Sequence, residues 1–255
     1  MIFYFFIKIC IKIIKNLAIF TQELQDIKQS LSSNVDFINV PDLLACETRS
    51  WEAAHIAKQH FNDVIPHLRA MDFDFTQDFP IKDKLLNYNL KEVLVVEGDP
   101  PQTMTHQVYP TISTDIIKKL SEEMPEIKVY AGIDQYRSSM KEEEYRIRRK
   151  ILAGAKGFFT QPFFDIRYLE MYADLLDGLD IYWGVSPVLS ERSMSYWRNK
   201  NNVIFPKNFE PTLEWNINFA REVISFARKH NHNVYLMPIK AKIMSYLQGV
   251  FAEEN

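Results

Sequence analysis

Along most of the chain, short apolar runs alternate with longer segments whose apolar positions recur every three or four residues. The runs are "NVDFINV" (34–40), "DVIPHLRA" (63–70), "EVLVVEG" (92–98), "IKVYAGI" (127–133), "GFFTQPF" (157–163), "DIYWGVSPV" (180–188) and "NVYLMPI" (233–239). Near-continuous apolar character, with no polar position every second residue, marks strands buried on both faces, as in a parallel sheet covered by helices. The intervening segments predict helices over 48–61, 81–88, 114–124, 141–155, 166–176, 190–198, 212–230 and 242–251. In the 141–155 segment, Glu142 and Arg146, and Glu144 and Arg148, stand at the i,i+4 spacing that pairs charges on one helix face.

The opening "MIFYFFIKICIKIIKN" departs from this rhythm. Its uninterrupted apolar run ends at Ile7, far short of a bilayer span. Lys8, Lys12 and Lys15 fall within and after the apolar stretch, whereas a secretory leader carries its charge before it. Residues 1–16 are therefore expected to hold an atypical first strand, over 2–11, with an interfacial membrane anchor or a misassigned start as the alternatives. Eight strands, each followed by a helix, make this an α/β protein with a single (β/α)8 TIM barrel, one domain over residues 1–255. No Ser/Gly/Pro-rich linker divides it. The alternative is an open doubly wound sheet, whose nucleotide loop usually needs glycines that this chain lacks.

Composition narrows the function. Thirty basic against 33 acidic residues give no basic excess, so no nucleic-acid partner and no membrane are expected. None of the seven glycines falls in a G-x-G-x-x-G or G-x-x-x-x-G-K pattern, which excludes a Rossmann fingerprint and a P-loop. Cys10 and Cys46 are too few for a disulfide framework and suit a reducing cytoplasm. The histidines show no H-E-x-x-H spacing, so no metal site is expected. Homo-oligomerisation stays open.

A barrel enzyme builds its site from the C-terminal ends of its strands. Those ends offer His67 and Arg69, then Glu97, Gly98 and Asp99, then Asp134 and Gln135, Thr160 and Gln161, and finally Lys240. In "VLVVEGDPP", Asp99 is either a turn cap or an acceptor for a ligand. In "FFTQPFFD", Gln161 is either part of a turn or an amide aimed at a cavity. An acid and an amide on one cavity suit a heterocycle with amide-like edges, supplying an acceptor for its N–H groups and a donor for its carbonyl. Tyr182 and Trp183 read as core. "RIRRK" (146–150) reads as a solvated helix face, "YWRNKNN" (196–202) as an exposed loop, and "RKHNH" (228–232) as a basic helix C-terminus.

Several of these stretches resemble the methylenetetrahydrofolate reductase family. "VLVVEGDPP" resembles its LRGDPP strand, and "ILAGAKGFFTQPFFD" is similar to its DAGADFIITQLFFD segment, with TQ and FFD in step. "IPHLRA", "DIYWGVSPV" and "VYLMPIKAKIMSY" are weaker matches to its HLTC, IPGIMPI and NRAEMSY segments, and the order holds from about 34 to 246. The resemblance implies a flavin-dependent barrel that passes a hydride from NADH or NADPH to FAD, and then to 5,10-methylenetetrahydrofolate, giving 5-methyltetrahydrofolate. It implies Asp99 and Gln161 as catalytic and substrate-binding residues, with Lys240 near the folate tail. It implies His67, Asp99, Ala131, Glu143 and Lys150 as FAD-binding positions, Ala131 through its backbone. There are also departures. The family's first-strand acid has no counterpart before Glu23, and Glu97 replaces the Arg of LRGD. Pro41 replaces a threonine, and Ile112 and Ile133 replace two tyrosines. A general acid is worth roughly 10²–10⁴-fold in rate. The alternative is therefore a catalytically impaired barrel that binds a folate or flavin as a binding module.

Overall fold

The structure is a computed structural model that describes residues 9–12, 17–44, 46–101, 106–239 and 241–252, the side chains of 9–12, 17 and 18 excepted. Its strands are β1 (Ile9–Lys12), β2 (Phe37–Val40), β3 (Asp63–Arg69), β4 (Glu92–Val96), β5 (Lys128–Ile133), β6 (Gly157–Pro162), β7 (Ile181–Val185) and β8 (Asn233–Leu236). All pair in parallel and in sequence order, and β1 pairs with both β2 and β8, so the sheet closes on itself. The helices are α1 (Leu17–Leu31), α2 (Ser50–Ala57), α3 (Lys82–Asn87), α4 (Ser113–Glu123), α5 (Met140–Ala153), α6 (Ile166–Leu175), α7 (Glu191–Lys200), α8 (Leu213–His230) and α9 (Ile243–Phe251).

Two expectations need correction. The first strand is described only over Ile9–Lys12; the rest of the segment expected to hold it lies outside the described residues. Nor is α1, between β1 and β2, among the helices expected from the sequence, whereas the segments expected over 190–198 and 212–230 both form, as α7 and α8 between β7 and β8. Their surfaces explain the division. α8 buries Phe219, Ala220, Val223, Ile224 and Ala227 and so makes the crossover, whereas polar α7 buries only Trp197 and sits over the barrel end.

Period-two alternation along β2 to β8 sorts the core into two layers. Phe37, Ile65, Leu94, Tyr130, Phe159, Tyr182, Tyr235 and Met237 fill the lumen. Phe159 and Tyr182 stack there with centroids 4.2 Å apart, and Tyr130 and Tyr235 meet Phe159 edge-on at 5.2 and 5.0 Å. Val64, Leu68, Val93, Val95, Val129, Ala131, Phe158 and Trp183 face the helices instead. Both faces of β2 to β8 are therefore buried, which is why these strands read as unbroken apolar runs. On α5 both anticipated charge pairs form, Glu142–Arg146 at 2.7 Å and Glu144–Arg148 at 2.6 Å.

One irregularity shapes the mouth of the barrel. The β6–β7 register shifts between Phe159 and Pro162. Thr160 Oγ1 fills the gap, accepting from the Gly184 N–H at 2.8 Å and donating to the Gln161 carbonyl at 2.8 Å. A Cβ on Gly184 would lie 2.6 Å from the Thr160 carbonyl oxygen and 2.7 Å from that of Gln161, so only glycine admits this approach. Bulges of this kind re-aim side chains. Here Thr160 and Pro162 are buried while Gln161 between them is exposed.

Candidate active site

The C-terminal strand ends surround a cavity of about 750 Å³. On β3, the residues after lumen-filling Ile65 that share its face are His67 and Arg69, and both line the cavity. His67 Nε2 lies 2.5 Å from Asn39 Oδ1 on β2, which also accepts from Tyr235 Oη at 2.7 Å. Arg69 is buried; its Nη2 donates to the Asp99 backbone carbonyl at 2.7 Å and its Nε to Asp72 at 3.2 Å. Asp72 also binds Arg49 at 2.7 Å, and Arg49 in turn grips Asp42. This buried acid–base chain fixes the backbone at Asp99. The Asp99 carboxylate itself is exposed and makes no hydrogen bond among the described residues, so it is not spent as a turn cap. Gly98 makes the turn possible with φ +89°.

Glu97, one residue earlier, is fully engaged. Its carboxylate accepts from the Ser113 N–H at 2.9 Å and the Ser113 hydroxyl at 2.5 Å, at the first turn of α4. Negative charge is favoured there by the helix dipole and by the unpaired N–H groups.

α5 forms the opposite wall. Buried Lys150 donates to the Gly132 carbonyl at 2.6 Å; burial lowers its pKa, against the pull of Glu143 and Glu97. Glu143, 1% exposed, accepts from the Asp134 N–H at 3.3 Å and faces Arg146 Nη1 at 3.5 Å. Both side chains pin α5 to the end of β5. Arg149 also lines the cavity, with no ion pair or hydrogen bond among the described residues.

Gln161 lines the cavity with its amide unpaired among the described residues. The Gln161 backbone carbonyl accepts from Gln135 Nε2 at 2.8 Å. Gln135 is therefore a support under the end of β6, buried at 1% exposure, and not a cavity group.

The structure thus brings Asp99, Gln161, His67, Glu143 and Lys150 to one cavity. It does not bring the Ala131 side chain there. Ala131 pairs with Val95 and Phe158 and packs toward the helices, and the β5 residues that line the cavity are Gly132 and Ile133. Lys240 lies outside the described residues. Sequence reading missed Arg146 and Arg149, taken as solvated, although Glu143, Arg146 and Lys150 share a helix face at i, i+3, i+7. It also missed Asn201, a cavity residue in a stretch read as exposed loop. Among the described residues no His/Cys/Asp/Glu cluster could hold a metal ion, and no helix is long and apolar enough to cross a membrane.

A closed parallel α/β sheet with a polar, ligand-sized cavity at its C-terminal mouth is the architecture of a barrel that binds a small molecule. The chain matches the methylenetetrahydrofolate reductase family over residues 18–224 and belongs to that family. It is 23% identical over 149 residues to the 5,10-methylenetetrahydrofolate reductase of Escherichia coli strain K12, covering 56% of this chain and 50% of that one. It is 21% identical over 147 residues to the enzyme of that name from Buchnera aphidicola subsp. Schizaphis graminum, covering 56% and 50%. The match thus spans about half the length of these relatives. Among solved structures, a Clostridium thermocellum protein described as binding two copies of 5-methyl-5,6,7,8-tetrahydrofolic acid superposes with a TM-score of 0.61 at 13% identity, covering 95% of this chain and 93% of that one. An oxaloacetate acetylhydrolase superposes at 0.60 with 8% identity, covering 95% and 78%. At such identities these likenesses speak to the fold alone.

Proposed function

We propose that this chain is a single (β/α)8 barrel domain that seats a reduced folate at its mouth, and that it reduces 5,10-methylenetetrahydrofolate to 5-methyltetrahydrofolate with FAD and NADH or NADPH. One observation carries the reading. Around the cavity Glu97, Arg69, Glu143 and Lys150 are spent on protein partners, whereas the Asp99 carboxylate and the Gln161 amide are left for a ligand. Family membership, the names of the curated relatives and the folate ligand of the Clostridium thermocellum protein support it.

The two groups divide the recognition. The Gln161 amide offers a donor and an acceptor to a pterin edge without adding charge. Asp99 accepts from ring N–H groups, and its negative charge stabilises a cationic form of the folate as the methylene carbon receives hydride. Lys240 is assigned to the folate tail by the resemblance. The cavity also suits FAD, because Arg149 reaches it from α5 with no ion pair among the described residues and would oppose the charge of a diphosphate, with Lys150 lining the same wall. When bound, FAD would supply the hydride carrier between nicotinamide and folate. His67 stands at the cavity wall with its ring fixed by Asn39, and Glu143 holds Arg146 in place beside it.

The binding-module reading has its own support in Glu97, which already fills the α4 N-terminus with negative charge. Purified protein separates the two. A reductase carries flavin absorption that bleaches with NADH or NADPH and recovers with methylenetetrahydrofolate. A binding module takes up 5-methyltetrahydrofolate without that cycle, and failure to bind either flavin or folate would refute both.

A further inference from the structure

The cavity holds one more polar group that its surroundings leave unsatisfied. Asn201 lines the same cavity as Thr160 and Gln161, at the C-terminal end of α7. Its Nδ2 is buried and has no hydrogen-bond partner among the described residues. Buried amide donors are almost always bonded in folded proteins, so an orphan of this kind needs an explanation. A misplaced loop is not the explanation, because the backbone here is anchored on both sides. The Asn201 N–H donates to the Trp197 carbonyl at 3.1 Å, and the Val203 N–H donates to the same oxygen at 3.2 Å. Asn202 between them adopts a left-handed φ of 54°. Trp197 and Val203 are buried with Phe164, which locks the segment onto the loop after β6. Asn201 is thus held at the cavity by an anchored backbone, with no acceptor for its side-chain donor among the described residues.

We propose that Asn201 is a ligand-recognition residue: its amide N–H donates to an oxygen acceptor of the molecule seated beside Gln161. This rests on the folate reading given above. A folate offers such oxygen at the pterin carbonyl and at the glutamate carboxylates, and the shared requirement is an acceptor, since Nδ2 can only donate. A donor with no acceptor among the described residues adds no internal hydrogen bond there. Removing it should therefore change affinity and leave the melting temperature unmoved, a pattern that a merely structural asparagine would reverse.

The test is equilibrium binding of 5-methyltetrahydrofolate to the wild-type chain and to Asn201→Ala, Asn201→Asp and Asn201→Ser, with thermal melts alongside. Asn201→Ala is expected to bind about tenfold more weakly, the equivalent of one hydrogen bond to a ligand, with an unchanged melt. Asn201→Asp, which turns a donor into an anionic acceptor, is expected to bind more weakly still, and Asn201→Ser, which keeps a donor, to recover part of the loss. Repeating the titration with a pterin lacking the aminobenzoyl-glutamate portion, and with p-aminobenzoylglutamate, identifies the oxygen, because only the fragment carrying it will sense the substitution. Wild-type affinity in Asn201→Ala, or a lowered melt with unchanged affinity in Asn201→Ser, would overturn the assignment while leaving the folate reading intact. No binding to the wild-type chain would remove both.

Discussion

Glu97 closes the N-terminus of α4 by accepting both the backbone N–H and the hydroxyl of Ser113. The sequence gives only an acid at a strand end, where the resemblance has an arginine. The fold shows that the acid is an internal helix cap. Glu97→Ala should then cost about 1–2 kcal/mol of stability, the usual value of a cap plus a favourable helix-end charge. Glu97→Gln, which keeps an acceptor but loses the charge, should cost less. Urea unfolding of both variants gives the answer, and equal stability of all three chains would show that the contact contributes nothing.

Gly184 holds the β6–β7 irregularity that exposes Gln161. In Gly184→Ala the new methyl meets two backbone carbonyls, which cannot swing aside as a side chain would. Overpacking of this kind costs about 1–3 kcal/mol, and the strand end must shift to relieve it. Both reduced stability in urea and weaker ligand binding are expected, the second because Gln161 moves with its strand. An alanine variant with native stability and native affinity would mean the approach is looser than the structure shows.

Trp183 Nε1 donates to Nδ1 of buried His232 at 3.0 Å, which requires that nitrogen to be unprotonated. Burial lowers the His232 pKa, His230 lowers it further, and Asp177 and Asp180 oppose the shift. With the folded value below the unfolded one, the unfolded chain binds the proton first as pH falls. Stability is therefore full above the ordinary histidine range and declines as pH drops from there through the folded value. A melting temperature measured across that interval should fall more steeply for the wild-type chain than for His232→Gln. Parallel slopes would remove His232 from the acid sensitivity.

Most of the architecture is legible in the sequence, for one physical reason. Strands buried on both faces leave unbroken apolar runs, and helices covering them leave one apolar stripe, so the predicted segments for β3 (Asp63–Arg69), α5 (Met140–Ala153) and α8 (Leu213–His230) fall within a residue or two of the observed ones. The cavity is less legible because it depends on which polar groups are already spent. Asp99 and Gln161 lie where the strand-end rule puts them. Nothing in the order of residues reveals that the Gln135 amide N–H is used in holding β6, or that Ala131 faces the helices while Gly132 faces the cavity. Asn201 carries no signal at all, since its place at the cavity comes from a loop folded back over the barrel by Trp197.

Asp99 and Gln161 are the two groups on which the functional account stands. Asp99→Asn should fold normally, since the carboxylate makes no internal bond, yet support weaker turnover because the charge opposite the folate is gone. Activity with methylenetetrahydrofolate at the wild-type level would remove Asp99 from the mechanism.

The most direct measurement is calorimetric titration of 5-methyltetrahydrofolate into the wild-type chain, Gln161→Ala and Gln161→Glu. The account predicts binding to the wild-type chain, a loss of about 1–3 kcal/mol in Gln161→Ala as pterin groups go unpaired, and a larger loss in Gln161→Glu, with flavin content nearly unchanged in both. A wild-type chain that does not bind the folate, or a dissociation constant indifferent to both substitutions, would contradict it.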